Sequence, residues 1–449
     1  MDAFLIFIKN CIWGVPLIAL LVGTGIYFSC KLKFLPVTHF RQAWGLLLHP
    51  RRLAPSAGDI SAFASLCTAL AATLGVGNIV GVALAVSVGG PGALFWMWVA
   101  TFFGLAVKYA EGLLAIRYRT VGSDGKVAGG PMHYIEQGLK CQWLAKFFAL
   151  CGAGGALVGI GTWTQSHAVA IAAQSSFGIP FVVTAALIAL LVAAITMGGL
   201  RRIAAVSEKV VPFMAIFYTC AAICVLVLKA SAIPQALASV FVGAFSPRAI
   251  LGAGSGASVA MVLRIGISRG IFANESGLGS AAIAASAAKT DIPAQQGLIT
   301  MLGAFLSIVV CTMTALVLLV TAPEIHLFGG HMDGGLLTSQ AFGAGLSMPM
   351  VGRAIVDLGV ILFAFTTILG WNYYGEKCVQ YLLGMRFVLP YKLLFLFFVA
   401  VGPFWNMDMI FVVADIATGL MALPNLIGLI GLRKEIFQET KALWLTEAR

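Results

Sequence analysis

Charge is scarce in this chain. Of its 449 residues only 10% are Asp, Glu, Lys or Arg, against about 25% in soluble domains. A soluble protein of this length could not clothe its surface with so few. A bilayer removes the requirement, because the surrounding solvent is then hydrocarbon. Paired cysteines are missing as well. The nine cysteines are scattered, several of them inside apolar runs (Cys67, Cys151, Cys311), and no CxxC occurs. Neither a zinc site nor a disulfide framework is indicated, and these side chains read as small buried hydrophobes. A phosphate-binding GxxxxGK[ST] loop is absent, since Gly125-Lys126 is followed by Val127, and so is HExxH. ATP hydrolysis through such a loop and zinc-dependent hydrolysis drop out; an enzyme is not expected, and no cofactor is called for. No polar linker is long enough to separate two independent domains.

What the chain has is apolar length. Sixty per cent of it is hydrophobic (60%), in spans of the ~20 residues that cross a bilayer. Eleven spans are expected, near 11–30, 61–88, 92–116, 145–173, 180–198, 209–229, 257–286, 297–321, 354–382, 386–405 and 407–431. The opening stretch lacks a basic start and a clear cleavage site, so a retained helix is expected rather than a signal peptide. The net charge of +11 lies between the spans, not in a polar domain with interleaved aromatics, so it reads as topology signal and not as a nucleic-acid face. Loops after odd-numbered spans and the tail hold most basic residues, among them Lys31, Lys33, Arg41, Arg51, Arg52, Arg117, Arg119, Lys126, Arg201, Arg202, Arg433, Lys434 and Arg449. The opposite side holds Lys9, Lys229, Arg248 and Arg353. This asymmetry predicts the N-terminus outside and the C-terminus in the cytoplasm. Between the first two spans, Val37, Phe40, Trp44, Leu47 and Leu48 recur at helical spacing with Arg41 off that face, which predicts a short helix on the cytoplasmic surface.

Two spans are interrupted. The second contains Thr73-Leu74-Gly75-Val76-Gly77-Asn78-Ile79-Val80-Gly81, the seventh Arg269-Gly270-Ile271-Phe272-Ala273-Asn274-Glu275-Ser276-Gly277-Leu278-Gly279-Ser280. Each glycine weakens a helix by ~1 kcal/mol relative to alanine, so local unwinding is expected near mid-span. Gly77-x-x-x-Gly81 is also a helix-packing pattern, but a polar residue beside it and a second break elsewhere favour unwinding. Unwound backbone is tolerated in a membrane only where protein or a cavity surrounds it. There, half-helix N-termini offer N–H groups to a carboxylate and freed carbonyls suit Na⁺ or an ammonium. The breaks fall five spans apart, an odd number. Spans two to six and seven to eleven therefore form two oppositely oriented halves, 61–230 and 231–432, preceded by an extra helix and surface helix in 1–60 and followed by a tail, 433–449. An inverted repeat places a binding site between its halves near the midplane. An ion channel is the rival reading, because broken helices also build selectivity filters.

The chain resembles the sodium:alanine (alanine or glycine:cation) symporter family. The likeness is carried by Gly75-Val76-Gly77-Asn78-Ile79-Val80-Gly81, Gly89-Gly90-Pro91-Gly92, Gly129-Gly130-Pro131-Met132, Val211-Pro212-Phe213-Met214, Gly270 to Ser280, and Gly370-Trp371-Asn372-Tyr373-Tyr374-Gly375-Glu376. It implies an all-α membrane protein with a leucine-transporter-like 5+5 inverted repeat in the inner membrane of a bacterium. It also implies sodium-coupled import of a small neutral amino acid, alanine or glycine, with glutamine or proton coupling as alternatives. In the fourth span the family pattern Gly-Asn-x-x-Gln-x-Asn becomes Gly161-Thr162-x-x-Gln165-x-His167; Gln165 is kept, and His167 is a packing group or a proton sensor.

From this resemblance follow the site residues. The substrate carboxylate is assigned to the N–H groups around Gly75 and Gly77, beside Thr73. Its ammonium is assigned to carbonyls near Phe272 and to Asn274 or Ser276. Gln165 serves either end, and Phe272 and Trp371 cap the side chain. Sodium is expected at the carbonyls of Ala71 and Leu74 facing Thr366 and Thr367, with Asn78 for substrate or a second ion. Threonine hydroxyls in spans also simply bond the preceding turn. Three charges share the seventh span, Arg264, Arg269 and Glu275, and read as gating or structural groups. Lys108 and Glu111, three apart on one helical face, are expected to pair.

Overall fold

A computed structural model of the chain describes residues 2–48, 58–121, 127–246, 258–328, 334–405 and 407–447. Arg51, Arg52, Lys126, Arg248 and Arg449, counted among the topology signals, lie outside the described residues. Apart from one two-residue hairpin pairing Thr120–Val121 with Val127–Ala128, the described residues form helices and their connections. Large apolar side chains point outward on many of them, Leu190, Phe213, Val227 and Phe397 all being more than half exposed. Hydrocarbon-facing surface is what a bilayer requires of such helices.

Among the described residues eight helices are long and apolar enough to cross a membrane, nine when Ala62–Thr73 and Val76–Gly89 count as one bent span. Two of the eleven expected spans fall short of that measure. Phe181–Thr196 has 16 residues, about 24 Å of helix against a core of ~30 Å. The seventh span is divided into Val259–Asn274 and Ser280–Ser286.

Local chemistry sets the boundaries. Ser61 starts the first broken helix by accepting from the Ala64 N–H at 3.0 Å, and Ser258 starts the second by accepting from Met261 at 3.2 Å, as N-caps do. Pro293 and Pro349 stand at the first helical position, where no intrahelical N–H is needed.

The structure adds helices where the hydropathy pattern predicts loops or single spans. The fourth span is two helices, Gln142–Val158 and Trp163–Phe177, interrupted at the Gly159-Ile160-Gly161-Thr162 stretch. Ile233–Phe245, read as a connection, is a helix on the Gly92–Arg117 helix. A Cβ at Gly92 would lie 2.2 Å from the Gly243 backbone, so the missing side chain is what allows this approach. Gly334–Leu346 packs beside Pro349–Leu383, and Arg433–Glu447 gives the tail helical form. The surface helix is split at His39 into Leu35–Thr38 and Phe40–Leu48. Its buried face is Ala43, Leu46 and Leu47; Val37 and Leu48 are exposed, contrary to the expected face.

Candidate functional site

The first break begins where the intrahelical bonds stop. Leu74 N–H still reaches the Leu70 carbonyl at 2.7 Å. Gly75 N–H instead turns to Asn78 Oδ1 at 3.1 Å, and a short 3₁₀ turn, Val76–Asn78, leads into Val80–Gly89 with a 67° bend. The Ala71 and Leu74 carbonyls are thereby released from helical bonding. Both face one hydroxyl: Thr367 Oγ1 lies 3.0 Å from the Ala71 oxygen, 3.2 Å from the Leu74 oxygen and 2.9 Å from the Phe363 oxygen of its own preceding turn. One hydroxyl proton serves three carbonyl oxygens, so lone pairs converge here with too few protons to separate them. Thr366 is elsewhere. Its hydroxyl bonds the Phe363 carbonyl at 3.0 Å and approaches the Met214 sulfur at 3.5 Å, so it does not share the Thr367 position expected of it.

Gly75 has no room for a side chain. A Cβ there would stand 2.7 Å from Thr367 Oγ1 and 3.2 Å from Gln165 Oε1. A Cβ at Gly77 would stand 2.9 Å from the Phe272 ring. The glycines thus serve close approach as well as unwinding. Gln165 Oε1 accepts from the Val76 N–H at 3.3 Å, while its Nε2 donates to the Ile160 carbonyl at 3.1 Å. The break in the fourth span therefore meets the break in the second. Thr73 only bonds its preceding turn, through the Ala69 carbonyl at 2.8 Å. Asn78 is fully engaged within the protein: Oδ1 holds Gly75, and Nδ2 donates to Ser307 Oγ at 2.7 Å.

The second break is held differently. Glu275, in the left-handed region at φ 54°, ends the Val259–Asn274 helix. Gly277 and Gly279 follow at φ 88° and 77°, values that glycine tolerates without strain. Glu111 Oε1, on the Gly92–Arg117 helix, accepts from Gly277 N–H at 3.0 Å, Gly279 N–H at 3.1 Å and Asn425 Nδ2 at 2.8 Å. Its Oε2 is 3.9 Å from Lys108 Nζ. A carboxylate at the N-terminus of the Ser280–Ser286 half-helix answers its free N–H groups. Hydropathy gave no sign of this tie, because its partners are 166 and 168 residues apart. Asn274 is spent on Thr101 Oγ1 at 2.8 Å and on the Ser276 N–H at 2.8 Å. Ser276 Oγ is buried with no hydrogen-bond partner among the described residues.

The three charges of the seventh span go separate ways. Glu275 accepts from the Trp371 indole at 3.1 Å and from the Ser280 hydroxyl. Arg269 lies 3.9 Å from Asp415 and 5.7 Å over the Phe272 ring, so it does not lock Glu275. Arg264 is exposed and donates to Asn10 at 3.0 Å, tying the span to the N-terminal helix. Trp371 is fully buried, packed beside Gly161 and edge-on to Tyr374. His167 is buried edge-on to Phe181. The string Gly266-x-Ser268-x-Gly270 matches a nucleophile elbow in letters. It lies inside the Val259–Asn274 helix, where Ser268 bonds the Ile265 carbonyl, so it lacks the exposed turn that chemistry needs.

Two cavities open along the Pro349–Leu383 helix. One, of about 250 Å³, is lined by Val80, Ala168, Ser339 and Asp357 among others. The other, of about 620 Å³, is lined by Tyr373, Glu376, Lys377 and Lys392 among others, with Lys392 Nζ 3.0 Å from Glu376.

Residues 1–446 match the sodium:alanine symporter family. The sodium/alanine symporter AgcS of Methanococcus maripaludis is 44% identical over 442 residues, which cover 97% of this chain and 95% of that protein. A probable sodium/glutamine symporter, GlnT of Bacillus subtilis, is 32% identical over 435 residues, covering 96% and 88%. The crystal structure of MhsT in complex with L-phenylalanine shares the fold, with a TM-score of 0.55 at 14% identity over 84% of this chain and 89% of that one.

Proposed function

The chain belongs to the sodium:alanine symporter family and has a leucine-transporter-like fold, and from that premise we propose that it is a sodium-coupled symporter importing a small neutral amino acid, alanine or glycine, by alternating access. The observation that carries this reading is the meeting of the Ala71, Leu74 and Phe363 carbonyls on the single hydroxyl of Thr367. Oxygen ligands of this kind suit a hard monovalent cation. A bound Na⁺ would tie the first broken helix to the Pro349–Leu383 helix and thereby shape the unwound backbone beside it.

The amino acid lies in this reading between the breaks. Its carboxylate takes N–H groups at the Gly75–Gly77 turn with Gln165 beside them, and its ammonium takes the free carbonyl end at Phe272 and the Ser276 hydroxyl. Phe272 and Trp371 bound the side chain. With the N-terminus outside, the cavity at Asp357 is the outer vestibule and the cavity at Glu376 the cytoplasmic one. Arg269 with Asp415 closes the outer side over Phe272. Glutamine is the second candidate substrate, favoured by the likeness to GlnT and by the Thr162 and His167 departures in the fourth span.

Radiolabelled alanine uptake into proteoliposomes, with and without an inward sodium gradient, tests the proposal. Saturable uptake that collapses without sodium is expected. Uptake indifferent to sodium overturns the coupling, and non-saturating flux favours a channel.

A further inference from the structure

Three ionisable side chains share one buried chamber beside Trp371. Lys108, Glu111 and Glu275 are each 1% exposed or less. Glu111 sits 3.9 Å from the Lys108 ammonium, whereas Glu275 has no cation within ion-pair distance among the described residues; its partners are the Trp371 indole and the Ser280 hydroxyl. Lys108 Nζ has no hydrogen-bond partner among the described residues, and Glu111 is the carboxylate it is paired with. The other bonded neighbours are uncharged: Asn425, which donates to Glu111, Tyr134, which donates to Asn425, and Trp371, which donates to Glu275. Arg269 is turned to Asp415. Two buried carboxylates therefore stand with one ammonium, already paired to Glu111, and full ionisation would leave an uncompensated negative charge in the membrane interior, where such charges are costly. One further positive charge belongs in the chamber.

We propose that this charge is a proton held by Glu275 on Oε2, which turns the Ser280 contact round, so that the carboxyl donates to the hydroxyl where a carboxylate would accept from it. The hydrogen-bond roles decide between the two acids. Every partner of Glu111 Oε1 is an N–H donor, two backbone amides and the Asn425 amide, and its Oε2 faces the ammonium. Among these partners a proton on Glu111 would find no acceptor. Glu275 Oε1 receives the Trp371 indole N–H, but its Oε2 meets a hydroxyl, which accepts as readily as it donates. Glu111 is then the ionised partner of Lys108, and Glu275 is the neutral acid of the chamber. Glu275 also holds Trp371, so loss of the proton would put a charge directly behind the residue that bounds the substrate; that consequence rests on the symport reading, whereas the proton itself does not.

Infrared spectroscopy of the purified full-length protein, without substrate or gradient, reads the proton directly, so a failure of symport leaves the test intact. A protonated carboxyl has a C=O stretching band that a carboxylate lacks. The difference between wild type and Glu275→Gln should show one such band lost, present equally in sodium and in sodium-free buffer. Should the glutamine variant fail to fold, Ser280→Ala supplies the test, because removing the acceptor moves the band to higher wavenumber. No band lost in Glu275→Gln, no shift in Ser280→Ala, or a band that appears only when sodium is withdrawn overturns the assignment; the last result would make sodium, and not a proton, the missing charge.

Discussion

Asn78 donates from Nδ2 to Ser307 Oγ at 2.7 Å, and Ser307 passes its own proton to the Ala273 carbonyl at 2.7 Å. The first residue stands in the break of the second span and the carbonyl at the edge of the break in the seventh. One serine on the Pro293–Val320 helix thus joins both interruptions. Asn78→Ala and Ser307→Ala should therefore be non-additive. A double-mutant cycle on thermal unfolding in detergent is expected to give a coupling on the order of 1–2 kcal/mol. Additive losses would mean that the two breaks are held independently.

Gly75 is the position with the least latitude in the first break. Alanine there would push into Thr367 Oγ1 and Gln165 Oε1, at 2.7 and 3.2 Å. Gly75→Ala should raise the sodium concentration for half-maximal alanine uptake by roughly tenfold, about 1.4 kcal/mol, while the protein still folds. An unchanged sodium dependence would place the ion away from this glycine.

The two adjacent threonines should part company. Thr367→Ala removes the hydroxyl on which the Ala71 and Leu74 carbonyls converge, and sodium affinity should fall by about tenfold or more; Thr367→Ser should restore most of it. Thr366→Ala removes a hydroxyl bonded to its own preceding turn, so sodium affinity should change by less than about twofold. Sodium activation curves of the three variants decide the matter, and equal effects of Thr366→Ala and Thr367→Ala would remove the distinction.

The breaks were legible in the sequence because glycine and polar residues in the middle of an apolar span have few other uses. Their partners were not. Glu111 lies on a helix whose own pattern shows only an i,i+3 pair with Lys108, and nothing local announces that its other face takes Gly277, Gly279 and Asn425. Ser307 is one serine in a long apolar helix, unremarkable until the fold brings Asn78 to it from 229 residues away. The interruption at Gly159–Thr162 escaped because the flanking residues are apolar enough to read as one continuous span. Asn78 and Asn274 are ligands by the family resemblance alone, and their bonds to Gly75, Ser307, Thr101 and Ser276, which answer a demand that unwinding itself creates, could not be read from it.

Small residues at helix contacts give a purely structural prediction. Gly92→Val would force a side chain into the Gly243–Ala244 backbone, where even a Cβ lies within 2.2–2.3 Å. The Ile233–Phe245 helix should detach, and Trp96 should lose its bond to the Ala244 carbonyl at 3.2 Å. Faster protease cleavage within 230–246 and a lower melting temperature are expected. A variant as resistant as wild type would show that this helix is not docked through Gly92.

Arg269 and Asp415 make a contact whose length matters. At 3.9 Å the charges attract without a short hydrogen bond, and the guanidinium also rests over the Phe272 ring at 5.7 Å. Such a pair is worth less as a stabiliser than as a latch, because desolvating both groups offsets most of their attraction. Neutralising one partner should therefore affect transport more than folding. Asp415→Asn keeps the shape and removes the negative charge facing Arg269. If the pair closes the outer side of the pocket, this variant should spend more time open, and a cysteine placed at Ala168 in the outer cavity should react faster with a membrane-impermeant thiol reagent. The melting temperature should move by only a few degrees, the equivalent of about 1 kcal/mol. Unchanged labelling together with a large loss of stability would make the pair a structural brace and remove it from the transport cycle.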